Sequence, residues 1–225
     1  MGGGLATTPL GNKKIKMAKR LKLFKDSSDK FWSNNSRVGG VFTTGYTYAL
    51  SYLKASDYLV DIAIKGNDAD KDLIFPICFN YRHYIELSLK ELIKIGEEFY
   101  KKSEYLGFEI KKYSKFKSDL LDKEHSLQKL LNWLIVLLNC ISEEKINSAV
   151  TVLINDFHNI DPDGQKFRYY VNKKKKLSFP NQSFYDLAHL KVGMKRIENE
   201  FMGIDGWLDH YGTIANGLIS ELNVF

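Results

Sequence analysis

The chain reads as an all-α bundle of about five main helices with one irregular loop late in the sequence. Two observations carry that reading. Lys, Glu, Leu and Ile are abundant and the 225 residues contain only four prolines, a composition that favours helix over sheet. Apolar residues also recur at three- and four-residue spacing, as at Phe75, Phe79, Ile85, Leu89, Leu92 and Ile93 and again at Leu187, Leu190, Met194, Ile197 and Phe201. That is the period of a helix with one side against a core.

Taken in order, residues 1–30 read as a flexible basic tail. Lys13, Lys14, Lys16, Lys19, Arg20, Lys22 and Lys25 alternate there with Ile15, Leu21, Leu23 and Phe24, a pattern for a solvated terminus or for a short amphipathic helix against an anionic surface. Residues 31–225 read as one domain. Its first helix runs from Tyr46 to Ile64 and ends at Lys65-Gly66-Asn67. Helix two spans about Asp72 to Lys102, with Pro76 in its first turns, where a missing N–H is tolerated. A Lys- and Tyr-rich connector, about Ser103 to Asp122, leads to helix three at about Glu124–Ile141. Ser142 opens helix four, which runs to about Asn159, and Asp161-Pro162-Asp163-Gly164 is a strong turn signal. Gln165 to Gln182 is irregular. A final helix starts near Ser183, with Asp186 three residues on as in a capping box. Gly203 and Gly206 are expected to break it before a last helix through Trp207 to Leu222.

The bulk properties narrow the function. With 44% hydrophobic and 27% charged residues the balance is that of a globular domain. The net charge of +6 comes almost wholly from Lys, since Arg occurs only at 20, 37, 82, 168 and 196; such a surface suits phosphate contact and also plain solubility. Cys78 and Cys140 lie in apolar helical stretches and read as buried thiols of a reducing compartment, not as a disulfide or metal framework. The longest apolar run, Leu130 to Ile141, is interrupted by Asn132 and Asn139 and falls short of a membrane span. The start of the chain has no signal-peptide apolar core, and Ala6 stands where myristoylation needs Ser or Thr. A cytoplasmic protein without membrane attachment is expected. Phosphate-binding loops, dinucleotide fingerprints and the Gly-x-Ser-x-Gly elbow are all absent from the sequence, which removes the ATPase, kinase and hydrolase readings.

The segment with most chemistry is Pro76-Ile77-Cys78-Phe79-Asn80-Tyr81-Arg82-His83-Tyr84-Ile85-Glu86-Leu87-Ser88-Leu89-Lys90. Arg82, Glu86 and Lys90 are four apart and so stack along one helix face, either as a structural clamp or as part of a polar site. This segment resembles the second-helix signature P-x-x-F-x-Y-R-H-Y-x-E-L-x-L-K of uncharacterised bacterial HEPN-like helical proteins. Thr44-Gly45-Tyr46, His125-Ser126-Leu127-Gln128-Lys129-Leu130-Leu131 and Asp161-Pro162 to Phe167-Arg168-Tyr169 fit the same resemblance, which covers roughly residues 44–200. The resemblance implies a helical bundle that forms a homodimer. It also implies a place among metal-independent ribonucleases of toxin–antitoxin, abortive-infection and other phage-defence systems, with RNA or a nucleotide and a protein from a defence operon as partners. The usual catalytic motif, Arg followed after four to six residues by His, is absent: after Arg82 the required positions hold Leu87, Ser88 and Leu89.

A site assembled from separated residues remains open. Metal-independent RNA cleavage needs a base for the ribose 2′-OH, an acid for the leaving oxygen and a cation for the phosphorane charge. His83 and His125 are the acid–base candidates, Arg82 and Arg168 the charge stabilisers, and Glu86 the group that orients Arg82 or His83. Tyr169 is placed to hydrogen-bond or stack on a base, and Lys173, Lys174 and Lys175, with Lys176, to attract the backbone. Each has a plainer reading: Arg82–Glu86 as a fold-stabilising ion pair, His125 as a helix N-cap, Arg168–Asp161 as a pin for the late loop, the Lys run as a solvated loop. No metal and no cofactor are expected, because the five histidines never reach a ligand spacing. Two other functions stay open: a non-catalytic binding module for a nucleotide, RNA or protein, and the neutralising partner of a toxin.

Overall fold

Thr44 starts the first helix, α1 (Gly45–Lys65), by reciprocal capping: its hydroxyl accepts from Thr47 N at 3.1 Å while Thr47 Oγ1 accepts from Thr44 N at 2.9 Å. The computed structural model describes residues 36, 44–113, 118–143 and 145–222. The chain divides into two units, Met1–Gly39 and Gly40–Phe225, and the helices belong to the second. The expected basic tail lies outside the described residues.

A 3₁₀ turn (Asp68–Leu73) joins α1 to α2 (Ile74–Tyr105), the central helix. Pro76 sits in the first turn of α2, as the sequence predicts. Ile77, Tyr81, Tyr84, Ile85, Leu89 and Ile93 are all at most 1% exposed, because α1, α4 and α6 all pack against this helix. Two polar bonds fix α1 on it: Ser56 Oγ donates to Ile77 O at 3.0 Å and Tyr81 OH to Asp57 Oδ1 at 2.6 Å. Gly96 allows the close approach of α4, since a Cβ there would lie 2.8 Å from Leu137 Cδ2.

The connector after α2 contains a short helix that the sequence reading lacks, α3 (Ser118–Lys123), anchored by buried Leu121. Six residues are too few to show a helical period. Helix α4 (Leu127–Ile141) follows, capped by Ser126. His125, considered for the cap, stands one residue before it. Ser142 does not open the next helix: its N–H closes α4 on Leu138 O at 2.8 Å. Instead α5 (Ser148–Ile160) starts behind Asn147, whose Oδ1 accepts from Ala149 N at 2.9 Å.

The late loop is irregular, as expected. It holds one antiparallel bridge, Val171 with Leu177, closed by Asn172 N to Lys176 O at 2.8 Å and Ser178 N to Tyr170 O at 2.9 Å. Asp186 then caps α6 (Leu187–Leu222), accepting from His189 N at 3.0 Å. The expected break at Gly203 and Gly206 does not occur, and α6 runs unbroken for 36 residues. Each helical glycine costs about 1 kcal/mol, and the apolar seam outweighs this by continuing through Trp207, edge-on to Phe99 at 5.6 Å, and Leu208, 1% exposed. The described residues thus form an all-α bundle of five long helices and one short one. None of these helices is long and apolar enough to cross a membrane.

Candidate functional site

Arg82, Glu86 and Lys90 succeed one another at four-residue steps on α2, and their exposures are 3%, 5% and 9%. Buried charges need partners on every side, and here the protein supplies them. Arg82 Nη1 donates to Glu86 Oε2 at 3.0 Å, Nε to Asp161 O at 3.0 Å, and Nη2 to His125 O at 2.6 Å. One guanidinium therefore clips α2 to the turn before α4 and to the loop after α5. This joins the three segments that the sequence marks as chemically rich.

The loop is shaped to receive that guanidinium. Asp161 is fully buried, its Oδ1 accepts from Lys166 N at 2.9 Å, and its Oδ2 lies 3.5 Å from Arg82 Nε. Among the described residues Asp161 Oδ2 accepts no hydrogen bond, so the ion pair is its only compensation. Gly164 has φ +75°, and a Cβ there would fall 2.7 Å from Arg82 Nη1. Both the backbone conformation and the space therefore call for glycine. The expected pairing of Asp161 with Arg168 is replaced by pairing with Arg82. Asp161 faces the interior, whereas Arg168 is exposed on the loop surface.

Glu86 is the hub. Its Oε1 accepts from Lys90 Nζ and from His125 Nδ1, each at 2.9 Å, and Lys90 also donates to Asp122 O at 3.2 Å. Burial opposes the charge on Glu86, but the hydrogen bonds from Lys90, His125 and Arg82 outweigh it and hold the carboxyl below its ordinary range. An ionised carboxylate only accepts, so the proton of a neutral His125 belongs on Nδ1 and the lone pair on Nε2. The His125 side chain is 58% exposed. Its backbone is held by Glu124 Oε1, which accepts from His125 N at 3.0 Å and Ser126 N at 2.8 Å.

The remaining candidates lie around this cluster. His83, one residue on from Arg82, is half-buried, edge-on to Tyr52 at 4.6 Å and stacked over Phe79 at 5.8 Å. Burial lowers its pKa, aided by the fields of Arg82, Lys90 and Arg168 against that of Glu86, so it is neutral at neutral pH. Arg168 lies with Cζ 5.9 Å from the Phe79 ring and 5.3 Å from the Tyr169 ring. Lys173, Lys174 and Lys175 are exposed on the tight turn of the late loop, where Asn172 Oδ1 accepts from Lys174 N at 2.9 Å and Lys176 N at 3.1 Å. Of the two cations proposed to meet phosphorane charge, Arg82 is enclosed and Arg168 is open.

Tyr48, Tyr52 and Phe79 extend this neighbourhood; the sequence marks Phe79 only as a member of the apolar repeat of α2 and does not single out Tyr48 or Tyr52. The signal that could have joined them is the four-residue spacing of Tyr48 with Tyr52 and of Phe79 with His83. Elsewhere, a cavity of about 250 Å³ opens between α5 and α6, lined by Cys78, Leu153, Phe157, Phe167, Leu190 and Met194. Burial, with Asp161 nearby, pushes the Cys78 thiol up to about 12. That makes it an apolar wall, not a nucleophile. Among the described residues no group of three or more His, Cys, Asp and Glu is placed to hold a metal ion.

Fold and site define a helical bundle whose interior ion cluster carries one outward-facing, carboxylate-bound histidine. No protein-family model, no curated protein and no solved structure matches the chain.

Proposed function

We propose that this protein is an RNA-directed effector of bacterial stress or phage defence, a HEPN-like metal-independent endoribonuclease that acts in the cytoplasm as a homodimer. The observation that carries the reading is the Glu86–His125 bond. A buried carboxylate on Nδ1 selects the tautomer whose lone pair is on Nε2, in a side chain that is 58% exposed, the arrangement a general base requires. In this reading His125 Nε2 takes the ribose 2′-OH proton. The 2′ oxygen bonds to the adjacent phosphorus, the bond from phosphorus to the 5′ oxygen breaks, and that oxygen leaves with a proton from water. Arg168, with its open guanidinium, takes the phosphorane charge. Arg82 and Glu86 are positioning residues, since each spends its polar atoms on the protein. The place in defence rests on the resemblance of the Arg82–Lys90 segment.

The test is incubation of single-stranded RNA with the purified protein in EDTA, with mass analysis of the ends. Fragments carrying 2′,3′-cyclic phosphate and 5′-hydroxyl are expected, and none with folded His125→Ala. Intact RNA at high protein concentration would remove the nuclease reading. The apolar cavity between α5 and α6 favours a second reading, a non-catalytic module that binds a small apolar ligand. A thermal upshift with such a ligand, in a protein that leaves RNA intact, would select it.

A further inference from the structure

Three elements that are far apart in sequence contribute to one row of flat side chains. On α1, Tyr48 meets Tyr52 edge-on at 5.6 Å, and their hydroxyls are 3.3 Å apart. Tyr52 meets His83 of α2 at 4.6 Å, His83 stacks over Phe79 at 5.8 Å, and Phe79 faces the Arg168 guanidinium of the late loop at 5.9 Å. Arg168 in turn lies 5.3 Å from the Tyr169 ring. The middle of the row is half-buried, while its ends are open, with Tyr48 51% and Tyr169 47% exposed.

We infer that this row, from Tyr48 through Tyr52, His83, Phe79 and Arg168 to Tyr169, is a stacking track for a single strand of RNA. Unpaired bases stack on aromatic rings and on guanidinium planes, whereas the bases of a duplex are already stacked within it. No member of the row is acidic. Arg168 offers the strand a charge as well as a plane, and Lys173 to Lys176 follow on the same loop. The track also meets the candidate site: His83 is three residues, about one turn or 5 Å along the axis, from Glu86, the carboxylate that holds His125. This deepens the nuclease reading by naming the form of the substrate, and it rests on that reading for RNA as the ligand.

The experiment measures binding by the full chain carrying His125→Ala, so that RNA stays intact. Fluorescence anisotropy is read with a labelled twelve-nucleotide RNA, the matching RNA duplex and a single-stranded DNA of the same sequence. Tyr48→Ala, Arg168→Ala and Tyr169→Ala are each expected to weaken single-stranded RNA binding about tenfold to a hundredfold. Tyr58→Ala, 70% exposed on α1 and outside the row, should leave it unchanged. The duplex should bind more weakly than the single strand. Single-stranded DNA binding as well as RNA also supports the track, because stacking needs no 2′-OH. The track is overturned if the three variants bind like the parent, if Tyr58→Ala weakens binding equally, if the duplex binds as well, or if no single strand binds. Should the track variants fail to bind while the native chain leaves RNA uncut, the track stands and the nuclease reading falls.

Discussion

Arg82 and His83 are neighbours on α2 and lead opposite lives. Arg82 is buried and each of its three nitrogens donates to a protein oxygen, on α2, before α4 and after α5. His83 turns about 100° around the helix to meet the rings of Tyr52 and Phe79 at a half-buried surface. The difference divides one short motif into two functions. The inward set Arg82, Glu86 and Lys90 holds three chain segments together, and the outward set packs ring on ring at a half-buried surface, where the proposed RNA track lies. An ionic motif on a central helix is thus not by itself a catalytic motif; of its partners, it is His125 whose side chain reaches solvent.

If that division holds, stability and activity should separate by residue. Arg82→Met should have the largest effect, because it strands Glu86 Oε2, the buried Asp161 carboxylate and two carbonyl groups. The expected loss is about 3–5 kcal/mol, or roughly 10 °C in melting temperature for a chain of this length, read by circular dichroism. A melt within a degree or two of the native one would erase the comparison.

Glu86→Gln sharpens it through pH. The folded carboxyl is held below its ordinary value of 4.5 by its three donors. Its contribution to stability is therefore complete above that value and lost as pH falls through the lower folded value. Melts of the native chain should fall as the pH is lowered from 7 to 3, while the Glu86→Gln variant, weaker at pH 7, should show a smaller acid dependence. Gly164→Ala should cost about 1–3 kcal/mol, since it combines a strained φ with a Cβ against the Arg82 guanidinium, and chemical denaturation would read it. At the small end, Tyr169→Ala should stay within about 0.5 kcal/mol of native stability while weakening RNA binding.

How much of this was legible in the sequence depends on which interaction decides each element. The Phe75–Ile93 period and the Leu187–Phe201 seam mark α2 and α6 because one-sided burial writes a repeat into the chain. Gly203 and Gly206 mislead, because their local cost is small beside the packing of Trp207 and Leu208. Helix α3 leaves no trace, as a single turn or two carries no period. In the site, the i,i+4 steps of Arg82, Glu86 and Lys90 announce an ion pair. They do not say that Arg82, and not Arg168, is the partner of Asp161, which lies 79 residues from Arg82 in sequence. The turn signal at Gly164 is plain, but the guanidinium it makes room for is not. The row from Tyr48 to Tyr169 needs three elements folded together, and no local pattern encodes it.

The most direct measurement is the long-range proton–nitrogen NMR spectrum of the histidine side chains at a pH where His125 is neutral, in the native chain and in Glu86→Gln. The Nδ1–H tautomer is expected for His125, with Nε2 unprotonated. That preference should be lost in the variant, with Nε2–H gaining population as in free imidazole side chains. A native His125 with its proton on Nε2, or one whose tautomer ignores the change at Glu86, would contradict the assignment of this pair as an oriented base.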